Sequence, residues 1–346
     1  MNSLPNNSLM LVPQKILLIQ LRRIGDVLMT TPSVAALRSQ FPEAHITFLT
    51  ERPSDQLFKA SAHVNEVLLY KKNSFWSELK FLWSLRQRRF DLVIDFFGNP
   101  RSAAMSWITG AFFRIGFNFR GRGLFYTHRV TMSKNGQYAA KHKAQLLEPL
   151  GLTLSEFPLF FEVDEQDRHY ADQLFEQLGL AENDFVVSLS PVSRQPYKVW
   201  PAKNFAEVAD WLTETMNAKI LFIYGPGEQS FVDDVRQSMK QKALPDYAVP
   251  TLSQTRAIFE KVRLHVGNDN GPCHFAIAAR TPTVTVFGRP KAVNWTPPDS
   301  PQHRAVEFDP GCKQNCVYPA CGLECLTGIS PQQVIAEIQA LRHSLS

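Results

Sequence analysis

No uninterrupted apolar run approaches the roughly 18–20 residues that cross a bilayer, because Lys15, Arg22, Arg23, Asp91 and Asp95 punctuate the greasiest stretches. The chain is therefore read as soluble or resting on a membrane surface. Residues 1–10 hold no basic cluster ahead of an apolar segment, so no export signal is expected and the reading is cytoplasmic. Cysteine is scarce, five residues with four of them between 312 and 325, which argues against a disulfide framework in a reducing compartment. Neither G-x-G-x-x-G nor the P-loop pattern occurs, and Gly225-Pro226-Gly227 lacks a third glycine, so NAD-linked and kinase-like functions lose their main support. Repeats and low-complexity tracts are missing too.

What remains is an ordinary globular composition, 44% hydrophobic and 20% charged, in 346 residues, long enough for two domains. The 37 Lys and Arg against 32 Asp and Glu leave +5, concentrated at Arg22 and Arg23 and within 86–89 and 114–129. That excess points to an anionic partner, with no nucleic acid expected.

Short apolar runs alternate with helical patterns: strands at 15–21, 45–50, 66–70 and 91–96, with helices at 27–40, 53–61 and 141–150. The alternation restarts with helices at 166–178, 202–215, 228–240 and 272–279 and strands at 185–190, 219–224, 263–267 and 283–287. This predicts an α/β chain of two doubly wound domains, 1–160 and 161–330, with a helix in 331–346 returning to pack on the first. Ligands of such sheets bind beyond the carboxyl ends of the strands, so the loops after strands carry the search.

The first strand runs into Leu21-Arg22-Arg23-Ile24-Gly25-Asp26. Asp26 is either a general base with two guanidinium groups holding an anion nearby, or a helix cap. Gly267-Asn268-Asp269-Asn270-Gly271-Pro272-Cys273-His274 follows a strand and opens a helix, where free backbone N–H groups suit a diphosphate. An N-cap aspartate with a core histidine is the plainer explanation. Lys198-Val199-Trp200-Pro201 offers a lysine for phosphate and a tryptophan anchor, and Glu228 opens a helix where it could accept from ribose hydroxyls. Singly these read as a solvated lysine and a capping glutamate; together on one sheet edge they read as a nucleotide-diphosphate cradle.

The order Arg22-Arg23-Ile24-Gly25-Asp26 with Thr31-Pro32, Lys198-x-Trp200-Pro201, and Gly267-x-Asp269-x-Gly271-Pro272-x-His274 with Phe287-Gly288 resembles the lipopolysaccharide heptosyltransferases of glycosyltransferase family 9. The resemblance spans about residues 15–340. It implies a GT-B architecture, two Rossmann-like domains facing across a cleft, with ADP-heptose on the second domain and a lipid-linked core oligosaccharide acceptor on the first. It also implies an inverting transfer, peripheral contact with an anionic membrane surface, and no required cofactor, consistent with the lack of a D-x-D motif. Position by position, Asp26 matches the catalytic base, and Lys198, Glu228, Asp269, Asn270, Gly271 and His274 match donor-binding positions. Arg22, Arg23 and Arg120 are assigned to the acceptor, with Arg114, Arg122, Arg129 and His142 as a supporting basic face. The chain departs from some relatives at Gln20, where they carry a lysine; that cation's job is assigned to Arg22 or Arg23. An epimerase, or a sugar-nucleotide-binding protein without catalysis, shares the cradle, and Asp26 discriminates against the binder. Cys312-x₃-Cys316-x₄-Cys321-x₃-Cys325 lies within structural-zinc spacing, but reduced, metal-free thiols are favoured because a second pair of ideally spaced ligands is missing.

Overall fold

The computed structural model describes residues 12–72, 74–133, 136–312 and 315–341, so the reading of residues 1–10 lies outside the described residues. The chain divides into two compact units, Met1–Phe160 and Phe161–Ser346.

In the first unit the order is β1 (Lys15–Ile19), α1 (Ile24–Leu28), α2 (Thr31–Gln40), β2 (His45–Thr50), β3 (Glu66–Leu69) and α3 (Phe75–Gln87). It continues with β4 (Leu92–Asp95), α4 (Pro100–Thr109), β5 (Phe113–Phe117), β6 (His128–Val130) and α5 (Ala139–Ala144). Among the described residues the strands form one parallel sheet ordered β3-β2-β1-β4-β5-β6. The buried run Ile16–Ile19 makes β1 central, as expected of a strand covered on both faces. Chain direction across the sheet reverses between β1 and β4, and a crevice forms outside the carboxyl ends at such a point.

The expected single helix over 27–40 is two helices. Pro32 has no N–H, and in a continuous helix its ring would strike the Leu28 carbonyl. Instead the Thr31 hydroxyl donates to that carbonyl at 2.7 Å, and the Thr30 hydroxyl donates to the Val27 carbonyl at 2.7 Å. The helix expected over 141–150 likewise shortens to α5 and then tightens into a 3₁₀ turn, Gln145–Leu150, which contains Pro149.

The second unit runs α6 (Glu165–Gln177), β7 (Val186–Ser190), α7 (Ala202–Met216), β8 (Lys219–Phe222), α8 (Gln229–Ser238) and α9 (Leu252–Lys261). It closes with β9 (Leu264–Asn268), α10 (Gly271–Ala278), β10 (Thr283–Phe287), β11 (His303–Glu307), α11 (Glu324–Thr327) and α12 (Pro331–Ala340). Its parallel sheet among the described residues is ordered β11-β10-β9-β7-β8, with the reversal between β7 and β9. The terminal helix does not follow the expectation of a return to the first domain. Val334, Ile338 and Leu341 are buried in the second unit's own core with Trp200, Phe205 and Val306, because these positions form a single apolar face that its sheet and α7 cover. Residues 342–346 lie outside the described residues.

Candidate functional site

Each unit gathers its chemistry at its own reversal point. In the first, the turn after β1 holds Arg22 and Arg23 at φ 54° and 53°, left-handed backbone that non-glycine residues adopt at a cost of roughly 1–2 kcal/mol each. Such strain persists where the surroundings over-determine it. Arg23 is the N-cap of α1 and its side chain makes no capping hydrogen bond; Asp26 is the third helical residue, so it is not the N-cap. Arg22 is exposed and faces Glu51 at 3.8 Å.

Beside Asp26 lies a lysine that the sequence pattern does not announce. Lys143, from α5, is buried and donates to Gln20 Oε1 at 2.7 Å and to the Phe96 carbonyl at 2.9 Å. Burial pulls its ammonium down to about 8, against the upward pull of Asp26 and Asp95. The cation next to Gln20 is therefore Lys143, not Arg22 or Arg23, and it arrives from 123 residues away in the chain. Asp95, at the end of β4, is fully buried and accepts from the backbone N–H of Phe97 (3.0 Å) and Gly98 (2.9 Å) and from the Tyr126 hydroxyl (2.7 Å). Burial raises its carboxyl above the ordinary range, opposed by these hydrogen bonds.

The supporting basic face is less available than the sequence suggests. The Arg114 guanidinium donates to the Phe125 and Ala111 carbonyls, and Arg122 donates to the Gly98 carbonyl and lies over the Phe119 ring. His142 stacks on Phe117 at 4.4 Å, and burial with the adjacent Lys143 charge lowers it to about 4, so it is neutral at neutral pH. Arg120 stays exposed over the same Phe119 ring, 4.9 Å from its centroid.

In the second unit, the Lys198 ammonium meets Asp269 Oδ2 at 2.5 Å across the β7/β9 reversal, with Asp269 2% and Lys198 17% exposed. His274 Nε2 stands 3.9 Å from the other Asp269 oxygen. Burial lowers His274 to about 4, so it enters as a neutral imidazole and not as a cation. Its Nδ1 and the Nδ2 of Asn268 are buried without a hydrogen-bond partner among the described residues, which marks a place where a polar ligand would complete the network. Asn270 is taken up by the turn itself. Its Oδ1 caps α10 through the Cys273 N–H (3.1 Å), while its Nδ2 donates to Ser190 Oγ and the Val192 carbonyl, both at 2.9 Å. Gly271 is the first helical residue of α10, where unpaired backbone N–H groups and the helix dipole favour an anion. Trp295, missed by the sequence reading, lies 5.7 Å from the His274 ring and 6.0 Å from Lys198 Nζ, between ring centroids and to the centroid respectively.

Glu228 shares the sheet edge but is turned to its own loop, accepting from the Gly225 N–H at 2.8 Å as the N-cap of α8. Trp200 is the anchor of the Lys198 loop: it is fully buried, its backbone N–H donates to Asn268 Oδ1 (3.0 Å) and its indole N–H to the Ile329 carbonyl (3.0 Å). Trp200→Phe is expected to cost about 1–2 kcal/mol, through the lost indole bond and the space it leaves, measured by denaturant unfolding.

The four clustered cysteines form no disulfide and line one cavity of about 10 Å³ with Tyr197, Arg289 and Tyr318. Among the described residues no three His, Cys, Asp or Glu side chains converge to hold a metal ion. No described helix is long and apolar enough to cross a membrane.

The sequence matches the profile of Glycosyltransferase family 9 (heptosyltransferase) over residues 79–325. It is 25% identical over 296 residues to the lipopolysaccharide heptosyltransferase 3 of Escherichia coli K12, covering 80% of this chain and 83% of that protein. The solved glycosyl transferase family 9 protein of Veillonella parvula superposes with a TM-score of 0.82 at 25% identity, over 95% of this chain and 97% of that one. An Escherichia coli heptosyltransferase solved with ADP-2-deoxy-2-fluoro heptose shares the fold at a TM-score of 0.70 and 18% identity, over 94% and 99% of the two chains.

Proposed function

Because the chain belongs to glycosyltransferase family 9, the heptosyltransferase family, we propose that it moves heptose from ADP-heptose to the lipopolysaccharide core by one inverting displacement with Asp26 as general base. The observation that carries this reading is the pairing of two chemistries, each at its own sheet reversal: a carboxylate beside a buried ammonium, and a Lys198–Asp269 pair at a helix N-terminus with unfilled polar atoms. The relatives named as lipopolysaccharide heptosyltransferases support the acceptor class, and the structure solved with an ADP-heptose analogue supports the donor. The family assignment speaks against an epimerase or a silent binder.

In this mechanism Asp26 takes the proton of the acceptor hydroxyl as its oxygen bonds to the anomeric carbon. The bond from that carbon to the diphosphate breaks, and its electron pair leaves with ADP. Lys198 and the backbone N–H groups at Gly271 neutralise the charge that develops there. His274 contributes a neutral hydrogen bond, Asp269 orients Lys198, Asn270 holds the loop in shape, and Glu228 fixes the turn at Gly225 on the edge where the ribose would lie. Arg22, Arg23 and Arg120 meet acidic groups of the acceptor. No metal is called upon, and the cysteine loop stands apart from the transfer. Incubation with ADP-heptose and a truncated core lipid, following both ADP release and acceptor mass, tests the assignment; ADP-heptose conversion without a heavier acceptor would overturn it.

Lys143 gives the reading a pH signature. Its positive charge lowers the cost of ionising Asp26, and it is lost as pH rises through about 8. The groups that surround it, Asp26, Asp95 with Tyr126, and the neutral His142, leave it as the cation that titrates in that range. Because the Lys143 charge favours the ionised carboxylate, the acid limb of kcat/KM is expected to stay in place in Lys143→Arg, which keeps that charge. In Lys143→Met the rate drops roughly tenfold and the acid limb moves upward, because the carboxylate loses its favourable neighbour.

A further inference from the structure

The helix α3 is apolar on both sides. Phe81, Leu82 and Leu85 pack inward on the core with Tyr70 and Phe90. On the opposite side Phe75, Trp76, Leu79 and Trp83 stand in solvent, the two tryptophans 72% and 66% exposed. Their spacing, with Trp76, Leu79 and Trp83 three and four residues apart, puts them in one stripe along two turns. Large apolar side chains in a contiguous exposed stripe mark a contact surface.

The neighbouring helix α4 also leaves aromatic side chains in solvent. Arg86 donates to the Thr109 carbonyl at 3.2 Å, tying the carboxyl ends of the two helices together, and beside that junction Trp107 and Phe112 are 57% and 77% exposed. Three of the chain's six tryptophans are thus exposed in this one unit.

Charge says what covers it. Residues 71–89 contain six basic side chains, Lys71, Lys72, Lys80, Arg86, Arg88 and Arg89, and one acid. That acid, Glu78, is turned away, accepting from the Tyr70 hydroxyl at 2.6 Å and facing Arg101 at 3.7 Å. Arg88 is paired with Glu66, while Lys71, Lys72, Lys80 and Arg89 are exposed. An aromatic stripe rimmed by cations alone suits a surface that is apolar below and anionic above, the layered chemistry of a bilayer with acidic headgroups. A protein partner would need matching acids around an apolar groove; a bilayer offers both everywhere. The helix also starts just after β3, at the same carboxyl edge of the sheet that carries Asp26.

We propose that α3 is a docking face that seats this protein on an anionic lipid bilayer, Trp76 and Trp83 entering the interface and Lys71, Lys72, Lys80 and Arg89 meeting the headgroups. The inference deepens the transferase reading, since a lipid-linked acceptor is presented at such a surface. Its test needs neither donor nor acceptor, so the two readings fail separately.

The experiment is co-sedimentation of the full chain with vesicles of phosphatidylcholine alone or mixed with phosphatidylglycerol, together with tryptophan emission. The wild type is expected to bind the anionic vesicles, with blue-shifted emission, and to release in high salt. Trp76→Ser with Trp83→Ser, and separately Lys71→Ala with Lys72→Ala and Lys80→Ala, each lower partitioning at least about tenfold. Because these side chains are exposed, thermal unfolding stays at the wild-type temperature, which separates lost binding from lost folding. A wild type that ignores anionic vesicles overturns the proposal. So do variants that bind as tightly as the wild type, or a face whose loss abolishes only self-association in light scattering.

Discussion

Asp26→Asn is expected to lower turnover at least about 100-fold while leaving ADP affinity and thermal stability near the wild type, since a positioned base is worth typically 10²–10⁴. The amide keeps the shape of the side chain and cannot take the acceptor's proton. A helix cap would give a different outcome, a loss of stability with activity retained, but the cap of α1 is Arg23 and Asp26 is two residues inside the helix from its start. Comparison with the Lys143 variants separates charge from chemistry. Asp26→Asn removes the acid limb of the pH profile, whereas Lys143→Met moves it. Near-normal transfer by Asp26→Asn, measured as acceptor mass against time, would take Asp26 out of the reaction.

Lys198→Ala is expected to weaken ADP binding about 100-fold, or about 2.7 kcal/mol, and to destabilise the second unit as well. The two effects have one origin. Lys198 neutralises a buried carboxylate, and removing one member of a buried pair costs about 3–5 kcal/mol because the other is left uncompensated; the 17% exposure of Lys198 places the expected loss at the lower end. The double variant Lys198→Met with Asp269→Leu removes both charges, so it should recover much of the stability and none of the ADP affinity. Arg22→Ala, on the exposed turn of the first unit, should leave ADP affinity unchanged and alter acceptor use. Calorimetric titration with ADP and denaturant unfolding read the two quantities. An Arg22→Ala loss larger than that of Lys198→Ala would reverse the assignment of donor and acceptor to the two units.

Much of the proposed donor site is legible in the residues from 267 to 274, because turn chemistry is local. An asparagine that caps a helix, a glycine at its first position and a preceding strand are written within a few neighbours of one another, and Asn270 and Gly271 take those places. The role of Trp200 as anchor is legible for the same reason, an aromatic two residues from a lysine in a loop between strand and helix. Asp26 is legible as a residue of interest, but its place within the helix depended on where α1 begins.

By itself the sequence determined the alternation of strand and helix, hence an α/β chain with parallel sheets, and the loops in which Asp26, Lys198 and Asp269 lie. Those signals are hydrophobic periods and turn residues, which act over one or two turns of chain. Only the tertiary structure decided what stands beside them. Lys143 reaches Gln20 across 123 residues, His274 and His142 lose their charge by being buried, and Glu228 turns back to its own loop. The last helix stays with its own unit because that sheet has an apolar surface to cover. The same reason hides α3 from a reading by period. Apolar residues on both of its sides blur the stripe, and only the packed sheet reveals which side faces the core and which is left for something else.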